Sequence, residues 1–351
     1  MDLAGLRSRV ERALADFLAR QRKQLSAIDS AMSVVADAVE AFVLGGGKRL
    51  RPAFAYWGYR GAGGADTDQL VATVAALELV HAGALIHDDV MDGSDTRRGG
   101  PAVHRRFAAH HRAGGWHGDP DGFGTAAAIL LGDLCLVWSD ELLHSGGLAP
   151  ATLARARPVF DRMRTELTLG QYLDVLTQAT QDTTVTRALA VARLKSASYT
   201  VEQPLRLGAA LAGAAPAVVA AYCGYGPPLG EAFQLRDDVL GVFGDPARTG
   251  KPAGDDLREG KRTYLVAAAF EAAEPATRAE LAAGLGDPAL DGTGVTRLQE
   301  IITGTGALAR TERRIAELTG TALAALEGAP LEPAAAEALA ALATAATTRS
   351  G

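Results

Sequence analysis

The residues that could do chemistry are densest in LIHDDVMDGSDTRRGG, residues 85–100, where acids and then bases follow an apolar run. On a helix, Asp88 and Asp92 share one face about one turn apart, and Asp89 points roughly 100° away. Paired carboxylate oxygens suit hard divalent cations such as Mg²⁺ that bridge to phosphate. A plain helix C-terminus is the alternative, but acids there oppose the helix dipole. The spacing therefore predicts a metal site supported by Asp89.

A second acidic stretch, FQLRDDVLGVFGD, occupies residues 233–245. Asp237 and Asp238 again follow a helical apolar run, and Gln234 lies about one turn before Asp237. The position that corresponds to Asp92 is Gly241, so this pair is a weaker candidate for a metal site than the first. Two such pairs about 150 residues apart predict a second acidic site that faces the first.

Basic residues occur in four clusters along the chain: GGGKRLRP, TRRGG, LKSASYT and TGKPAGDDLREGKRT. Each cluster alone is typical of a solvated surface patch. Interleaved with two acid pairs, they favour a polyphosphate held between metal ions and cations. The cations concerned are Lys48, Arg49, Arg51, Arg97, Arg98, Lys195, Lys251, Lys261 and Arg262.

Two further features can be interpreted in two ways from the residues alone. Gln171 and Asp174, in GQYLD, share a helix face that is either an exposed polar turn or a pocket wall. His81 precedes Asp88 by seven residues, about two turns, and so shares its face. It is either a core histidine or a phosphate contact.

The elements that must position these residues are helices. Hydrophobic residues make up 48% of the 351 residues and aromatics only 5%, which favours closely packed helices. Helical periodicity runs through a first N-terminal helix, while no strand alternation or repeat persists. We predict an all-α, single large helical domain over residues 1–351, with residues 330–351 peripheral. Further helices are predicted around 30–44, 66–87, 124–145, 151–178, 185–213, 217–241, 261–285, 294–322 and 332–347, with another starting at Pro52.

Charge and composition exclude several classes of function. The net charge of −6 argues against a general nucleic-acid binder, because phosphate-backbone affinity needs a basic surface. The N-terminus lacks a signal-peptide core, and no long apolar run free of breakers appears, so no transmembrane segment is expected. Cys135 and Cys223 are predicted to be buried, reduced thiols of a cytoplasmic protein.

The motifs together resemble the all-trans isoprenyl (polyprenyl) diphosphate synthases over almost the whole chain. The similar stretches, in order, are GGGKRLRP, HDDVMDGSDTRRG, GQYLD, KSASYT, FQLRDDVLGVFGD and GKPAGDDLREGKRT. The resemblance implies a helical fold around a deep central catalytic cavity, usually in a homodimer. It also implies condensation of isopentenyl diphosphate with an allylic diphosphate.

The resemblance assigns roles to individual residues. It implies about three Mg²⁺ ions in each active site, held by Asp88, Asp92 and Asp237 with support from Asp89, Asp174 and Asp238. The allylic diphosphate is expected to contact Arg97, Lys195 and Lys251, and isopentenyl diphosphate to contact Lys48, Arg51, His81 and Arg98. Ser196, Gln171 and Gln234 match positions around the reacting carbons, and Lys261 belongs to the same basic set. Asp88, Asp92, Lys195, Asp237 and Lys251 form the implied catalytic set.

The family's second motif often has an aspartate where Gly241 stands, which predicts altered metal affinity rather than lost activity. Product length is expected to depend on bulk below Asp88, where short-chain members often carry aromatics. Here Gly83 and Ala84 are small, and Val80, one turn further from Asp88, is not clearly large enough to stop the growing chain. We therefore expect geranylgeranyl diphosphate (C20), with a longer chain or farnesyl diphosphate as alternatives, and a shorter product from Gly83→Phe.

Two rival functions are weighed against this one. A class I terpene cyclase shares the fold and first motif, but would carry an Asn/Asp, Ser/Thr, Glu metal triad where DDVLGVFGD stands, and would not need Lys48 or Arg51. A non-catalytic regulatory subunit of a heteromeric synthase commonly loses an aspartate motif, and this chain keeps both.

Overall fold

Helices form nearly all of the regular structure in the computed structural model, which describes residues 3–245, 254–287 and 289–348. A 3₁₀ turn (Ser30–Met32), a π-helical segment (Ala192–Glu202) and a two-stranded antiparallel hairpin, β1 (Thr96–Arg97) and β2 (Gly100–Pro101), complete it. The helices are α1 (Leu3–Ile28), α2 (Ser33–Leu44), α3 (Leu50–Gly61), α4 (Asp68–Met91), α5 (Val103–Gly114), α6 (Pro120–Ser145), α7 (Pro150–Thr180), α8 (Val185–Val191), α9 (Gln203–Ala212), α10 (Pro216–Phe243), α11 (Asp255–Arg258), α12 (Tyr264–Ala272), α13 (Pro275–Gly284), α14 (Gly292–Gly304), α15 (Ala307–Ala324) and α16 (Pro333–Thr347). The predicted all-α fold is confirmed.

Helix starts follow from local side-chain chemistry. Thr67, Thr184 and Thr263 precede α4, α8 and α12, and each hydroxyl accepts a hydrogen bond from the backbone N–H three residues later. Such caps satisfy N–H groups that have no partner within the helix. Pro120 and Pro275 occupy the first positions of α6 and α13, where a missing N–H costs nothing.

Three of the predicted helices are divided in the structure. Residues 185–213 form α8, the π-helical segment and α9 in succession. The segment 261–285 breaks before Pro275, because the residue before a proline disfavours helical backbone. The segment 294–322 breaks at Gly306, whose φ of 78° lies in the left-handed region. Helix α5 was not predicted, because its sequence VHRRFAAHHRAG is largely polar.

The chain divides into two compact units. The first comprises Met1–Phe160, Pro204–Val218 and Leu331–Ala338, and the second comprises Asp161–Gln203, Val219–Pro330 and Leu339–Gly351. In the first, α4 lies against α6, and Leu77, Leu79 and Val80 of α4 are almost entirely buried. In the second, α10, α12 and α14 share one apolar core that includes Leu235 and Leu265. The single-domain prediction and the peripheral position of residues 330–351 stay predictions.

Two helices, α4 and α6, are long and apolar enough to cross a membrane by length and composition alone. We expected no segment of this kind from the sequence, and these two helices depart from that expectation. The apolar window of α4 is 72% buried inside the protein, and a buried core helix passes the same test. The window of α6 is only 39% buried, so this helix presents apolar side chains outward.

The two cysteines differ in environment. Cys135 is buried, and loss of hydration raises the pKa of its thiol to about 12. Cys223 is exposed, which corrects the prediction of two buried thiols. The flanking Tyr222 and Tyr225 take the buried face of α10 and turn Cys223 outward.

Candidate active site

The first acid pair lies where α4 ends. Helix α4 continues through Asp88 to Met91, and Asp92 caps it by donating its backbone N–H to the Asp88 carbonyl over 2.8 Å. Both side chains are half-buried. Asp89 is buried and accepts hydrogen bonds from Nε (2.8 Å) and Nη2 of Arg97. The acids therefore divide into an accessible pair and a buried partner that orients Arg97.

The glycine-rich loop before α3 is fixed by a buried ion pair. Arg49 has left-handed backbone (φ 53°), and only 2% of its side chain is exposed. Its guanidinium donates to Glu78 Oε2 at 2.7 Å and to the Val43 carbonyl at 2.8 Å. The neighbouring Lys48 is exposed, whereas Arg51 is buried. Arg49 thereby anchors to α4 the loop that carries the two predicted phosphate-binding cations.

The pairing of Arg49 with Glu78 was missed by sequence reasoning, although a signal was present. Glu78 is the only charged residue between Asp68 and Asp88 in the apolar helix α4. Acidic side chains are almost never fully buried unless they are paired. An isolated carboxylate in such a run therefore indicates a buried cationic partner, but nothing local identifies which one.

Replacing Glu78 by glutamine is expected to lower the free energy of unfolding by about 3 kcal/mol, because the buried Arg49 guanidinium loses its closest countercharge and keeps only the more distant, part-exposed Glu11 at 3.7 Å. Urea denaturation provides the measurement. The matched control is Glu40→Gln, which breaks an exposed pair with Arg22 at 2.6 Å and is expected to cost less than about 1 kcal/mol. Equal costs at the two sites would contradict an anchoring role for Glu78.

Cations also surround His81. Loss of hydration and then the nearby guanidinium groups, Arg51 first, hold the pKa of the His81 imidazole well below its usual value. The imidazole is therefore neutral at pH 7 and can donate one hydrogen bond. Arg98, also left-handed (φ 53°), donates to the carbonyls of Phe42 (3.0 Å) and Gly46 (3.2 Å). The first unit thus brings His81 together with Arg51, Arg97 and Arg98.

The predicted chain-length residues differ in their surroundings. A Cβ at Gly83 would lie 2.9 Å from the Gly132 carbonyl and 3.2 Å from Leu136 Cγ, so Gly83 permits close approach of α4 and α6. Ala84 is only partly buried, whereas Val80 is fully buried. Gly83 therefore has a packing reason to be small, which is independent of product length.

In the second unit, the predicted acid of GQYLD and the predicted cation of KSASYT form an ion pair. Lys195 Nζ donates to Asp174 Oδ2 at 2.6 Å, and both side chains are mostly buried. Lys195 and the half-buried Ser196 lie in the π-helical segment, a conformation often found at functional sites. Gln171 is half-buried, one turn before Asp174 on α7. The ion pair of Asp174 with Lys195 therefore favours the interpretation of GQYLD as a pocket wall.

The second acid pair lies near the end of α10. Asp237 is half-buried, whereas Asp238 is buried and accepts a hydrogen bond from Gln234 Nε2 at 2.7 Å. Burial, with a smaller contribution from Asp256 and Asp237, raises the pKa of Asp238 to about 8. Asp238 is therefore mostly protonated at pH 7 when no cation is bound, whereas Asp237 is the more accessible carboxyl group of the pair.

Helix α10 is tied to α15 and α16 beside these acids. Arg236 donates to both carboxylate oxygens of Glu312 at 2.6 Å and, through Nε, to the Thr347 carbonyl at 2.8 Å. The buried Tyr225 hydroxyl donates to the Leu339 carbonyl at 2.7 Å. These bonds fix the register of α10 and hence the direction of Asp237.

The last basic cluster is described in part. Lys251 lies outside the described residues. Lys261 Nζ is 2.7 Å from Glu259 Oε2 and 3.8 Å from Asp256 Oδ1. Its ammonium is therefore held by acids of its own loop.

The donor atoms fit a hard divalent cation. In the first unit, Asp88 and Asp92 are partly accessible carboxylates at the end of α4, where a cation would offset like-charge repulsion; in the second unit, Asp237 is a partly accessible carboxylate on α10. Among the described residues, no three His, Cys, Asp or Glu side chains converge to hold an ion by themselves. Magnesium commonly binds through one or two carboxylates plus water and substrate phosphate, which suits this arrangement.

Comparison with known proteins gives a consistent result. The family model described as polyprenyl synthetase matches residues 32–302. A geranylfarnesyl diphosphate synthase of Aeropyrum pernix is 33% identical over 291 residues, which cover 81% of this chain and 85% of the relative. A geranylgeranyl diphosphate synthase of Mycobacterium tuberculosis is 36% identical over 289 residues, which cover 82% of this chain and 77% of the relative.

Among solved structures, a similar chain is a geranylgeranyl pyrophosphate synthase of Corynebacterium glutamicum in complex with isoprenyl diphosphate and magnesium. It is 42% identical and superposes with a TM-score of 0.96, covering 99% of this chain and 100% of its own. The likeness therefore extends over the parts of both units that carry the acid pairs and the basic clusters.

Proposed function

The chain belongs to the polyprenyl synthetase family and is a trans-prenyltransferase, and we propose that it condenses isopentenyl diphosphate with an allylic diphosphate, head to tail, to give geranylgeranyl diphosphate. The observation that carries the proposal is the joint presence of the acid pair Asp88 and Asp92 and the cations around His81. A metal site alone would not need the cations, and an anion site alone would not need the acid pair.

The residues of the first unit have separable roles. Asp88 and Asp92 would hold Mg²⁺, which when bound polarises the allylic diphosphate and stabilises negative charge on the leaving group. Arg97, oriented by Asp89, presents its guanidinium to that diphosphate. Lys48, Arg51 and Arg98 supply positive charge for isopentenyl diphosphate, and the neutral His81 donates one further hydrogen bond. Preorganised donors of this kind stabilise developing charge without reorganisation during the reaction.

The residues of the second unit complete the proposed chemistry. Asp237 would hold a further Mg²⁺, with Asp238 and Gln234 keeping its helix face in place. Lys195, oriented by Asp174, contributes a fixed cation, and Lys251 and Lys261 belong to the basic set of the following loop. Ser196 and Gln171 are polar contacts near the reacting carbons. No side-chain nucleophile is required: the allylic C–O bond breaks and diphosphate leaves, the double bond of isopentenyl diphosphate forms the new bond to the allylic carbon, and the resulting cation loses a proton to the released diphosphate.

A C20 product is proposed from the small size of Ala84, one turn before the first acid pair. The names of the relatives range from geranylgeranyl to geranylfarnesyl diphosphate synthase, so the family alone leaves the chain length open. A longer chain or farnesyl diphosphate is the alternative product. A non-catalytic subunit of a heteromeric synthase is the alternative of a different class.

The test is an assay of the purified protein with labelled isopentenyl diphosphate and a C5, C10 or C15 allylic diphosphate in turn. Mass spectrometry of the dephosphorylated products should give C20 from each accepted primer. Accumulation of C15 or of C25 and longer chains would overturn the C20 assignment. Absence of turnover with every primer would favour the regulatory subunit.

We also propose that the protein is a cytoplasmic homodimer that associates through the exposed face of α6. Phe123, Leu130 and Val137 are 38%, 65% and 63% exposed and recur every seven residues, so they form one apolar stripe. Contiguous exposed apolar stripes commonly mark protein–protein interfaces. Neither cysteine forms a disulfide, which agrees with a reducing compartment.

Leu130→Arg is expected to convert the dimer into a monomer, because it introduces a charge at the centre of the stripe. Sedimentation equilibrium at micromolar concentration measures the mass directly. The matched control is Ile28→Arg on α1, where an apolar side chain is 75% exposed outside the stripe. A wild-type protein that sediments as a monomer would contradict the proposal.

A further inference from the structure

The π-helical segment is bonded to α7 through one carboxylate. Glu166 Oε2 accepts hydrogen bonds from Ser198 Oγ at 2.8 Å and from Gln203 Nε2, just after the segment, at 3.1 Å. Both donors are almost entirely buried. Burial alone would raise the pKa of Glu166, but hydrogen bonds from Arg162 and Ser198 outweigh it and hold this pKa below its usual value. Glu166 is therefore an anion at pH 7 and accepts from both buried donors.

The two donors meet at one oxygen because the segment is π-helical. The Gln203 backbone N–H donates to the Ser198 carbonyl five residues earlier, which is the π-helical pattern. That bond places the two residues one turn apart on the same side of the helix. In an α-helix, residues five apart point about 140° apart, so the two side chains would face different sides. Glu166 thus binds a pair of donors that the π form brings together and the α form would separate.

The same face of α7 contacts the segment at two further turns. Gly170 and Asp174 follow Glu166 by four and eight residues and so lie on its side of the helix. A Cβ at Gly170 would lie 2.3 Å from the Lys195 backbone nitrogen, so glycine permits this close approach. Asp174 accepts the hydrogen bond from Lys195 Nζ described above. One face of α7 therefore fixes the segment from Gln203 back to Lys195.

Helix α10 also lies directly against the backbone of the segment. A Cβ at Gly230 would lie 2.6 Å from the Ala197 carbonyl oxygen. The backbone is thus closely packed on α7 at Lys195 and on α10 at Ala197. An α-helical form would turn Lys195 relative to Gln203, because the two helix types differ in residues per turn. The direction of Lys195 therefore depends on the segment keeping its π form.

We propose that Glu166 is a positioning residue: by binding Ser198 and Gln203 together, it keeps the segment π-helical and Lys195 directed at the allylic diphosphate. The inference rests on the proposed function, which gives Lys195 that contact. Isopentenyl diphosphate is assigned to cations of the first unit. Loss of Glu166 should therefore weaken the use of the allylic substrate and spare that of isopentenyl diphosphate.

The test is steady-state kinetics with the two substrates varied separately. Glu166→Ala is expected to raise KM for the allylic diphosphate about tenfold and to leave KM for isopentenyl diphosphate near wild type, since a misplacement of about 1 Å can cost up to about 100-fold. Ser198→Ala, which removes one donor, should give a smaller rise in the same KM. Arg162→Ala is the matched control. Arg162 is 62% exposed and bonds the other oxygen of Glu166 at 2.7 Å, so both KM values should stay near wild type.

A double-mutant cycle separates positioning from general damage to the fold. If Glu166 acts through Lys195, Glu166→Ala should add little to the allylic KM once Lys195→Ala is present. Fully additive effects would overturn the inference. Hydrogen–deuterium exchange over residues 192–203 supplies a readout besides activity: exchange should be faster in Glu166→Ala than in Arg162→Ala. Equal exchange in the two variants would count against the inference.

The outcomes distinguish this inference from the function on which it rests. If Lys195→Ala raises the allylic KM while Glu166→Ala leaves it unchanged, Glu166 has only a packing role and the inference is wrong. If Lys195→Ala also leaves the allylic KM unchanged, the proposed role of Lys195 is itself wrong, and the inference fails with it. If Glu166→Ala does not fold, Ser198→Ala decides: a selective rise in the allylic KM supports the inference, and no rise overturns it.

Discussion

Asp88→Ala is expected to lower turnover by about 10²- to 10³-fold, the cost of removing one preorganised group that stabilises transition-state charge. The same substitution is expected to raise the stability of the unliganded protein by about 0.3–1 kcal/mol. Asp88 lies in the last turn of α4, where an acidic side chain opposes the helix dipole and repels Asp92. The helix dipole therefore acts against the Asp88 carboxylate in the absence of a cation, and a bound cation would offset this effect.

Asp88→Ala is thus expected to lower turnover and to raise the stability of the unliganded protein, whereas a substitution that merely damages the fold would lower both. Turnover is measured with isopentenyl diphosphate and the preferred primer, and stability by thermal and urea unfolding without metal. Asp95→Ala is the matched control, because Asp95 lies in the same loop, is 70% exposed and pairs with Arg105 at 2.6 Å. It is expected to retain turnover near that of wild type. Near-wild-type turnover in Asp88→Ala would refute the metal assignment.

Sequence periodicity predicted the parts of the fold that depend on local chemistry. Long segments rich in apolar residues identified α4, α6 and α10, whose apolar side chains are not confined to one helix face. Breaks at Pro275 and Gly306 were present in the sequence but were outweighed by the surrounding periodicity. The π-helical form of residues 192–202 leaves the apolar pattern nearly unchanged, so periodicity alone could not distinguish it.

Pairings between distant segments could not be predicted, because the two partners carry no shared local pattern. Arg49 and Glu78 are 29 residues apart, and Lys195 and Asp174 are 21 apart. Motif resemblance suggested that Lys195 and Asp174 serve one site, but not that they form an ion pair. The proximity of Asp256 to Gly241 could not be predicted for the same reason, since only the folded chain brings the two together.

Gly83 illustrates how the structure changes an experiment designed from sequence. Small size at Gly83 was interpreted as room for a longer product, and Gly83→Phe as the way to remove that room. The backbone of Gly132 lies 2.9 Å from where a Cβ would be, and a carbonyl on a packed helix cannot move aside like a flexible side chain. Overpacking of this kind typically costs about 1–3 kcal/mol. Gly83→Phe would therefore confound product length with folding.

Ala84→Phe is the cleaner test and is expected to shift the main product from C20 to C15 or shorter. Ala84 precedes Asp88 by four residues and so lies one turn below it on the same face of α4. It is only partly buried, so a phenyl ring has space to occupy without displacing backbone. A ring there would block the position that the growing apolar chain must enter, while Asp88 and Asp92 stay in place.

A graded series makes the Ala84 prediction quantitative. Ala84→Val and Ala84→Leu are expected to give intermediate product mixtures, because the blocked volume rises stepwise with the side chain. Products are identified by mass after dephosphorylation, and each variant's melting temperature is compared with that of Gly83→Phe. The Ala84 series should keep a melting temperature near wild type, whereas the melting temperature of Gly83→Phe should fall by a few degrees, since 1 kcal/mol corresponds to roughly 1–2 °C in a chain of this size. An unchanged product distribution across the folded Ala84 series would show that the face of α4 below Asp88 does not limit chain length.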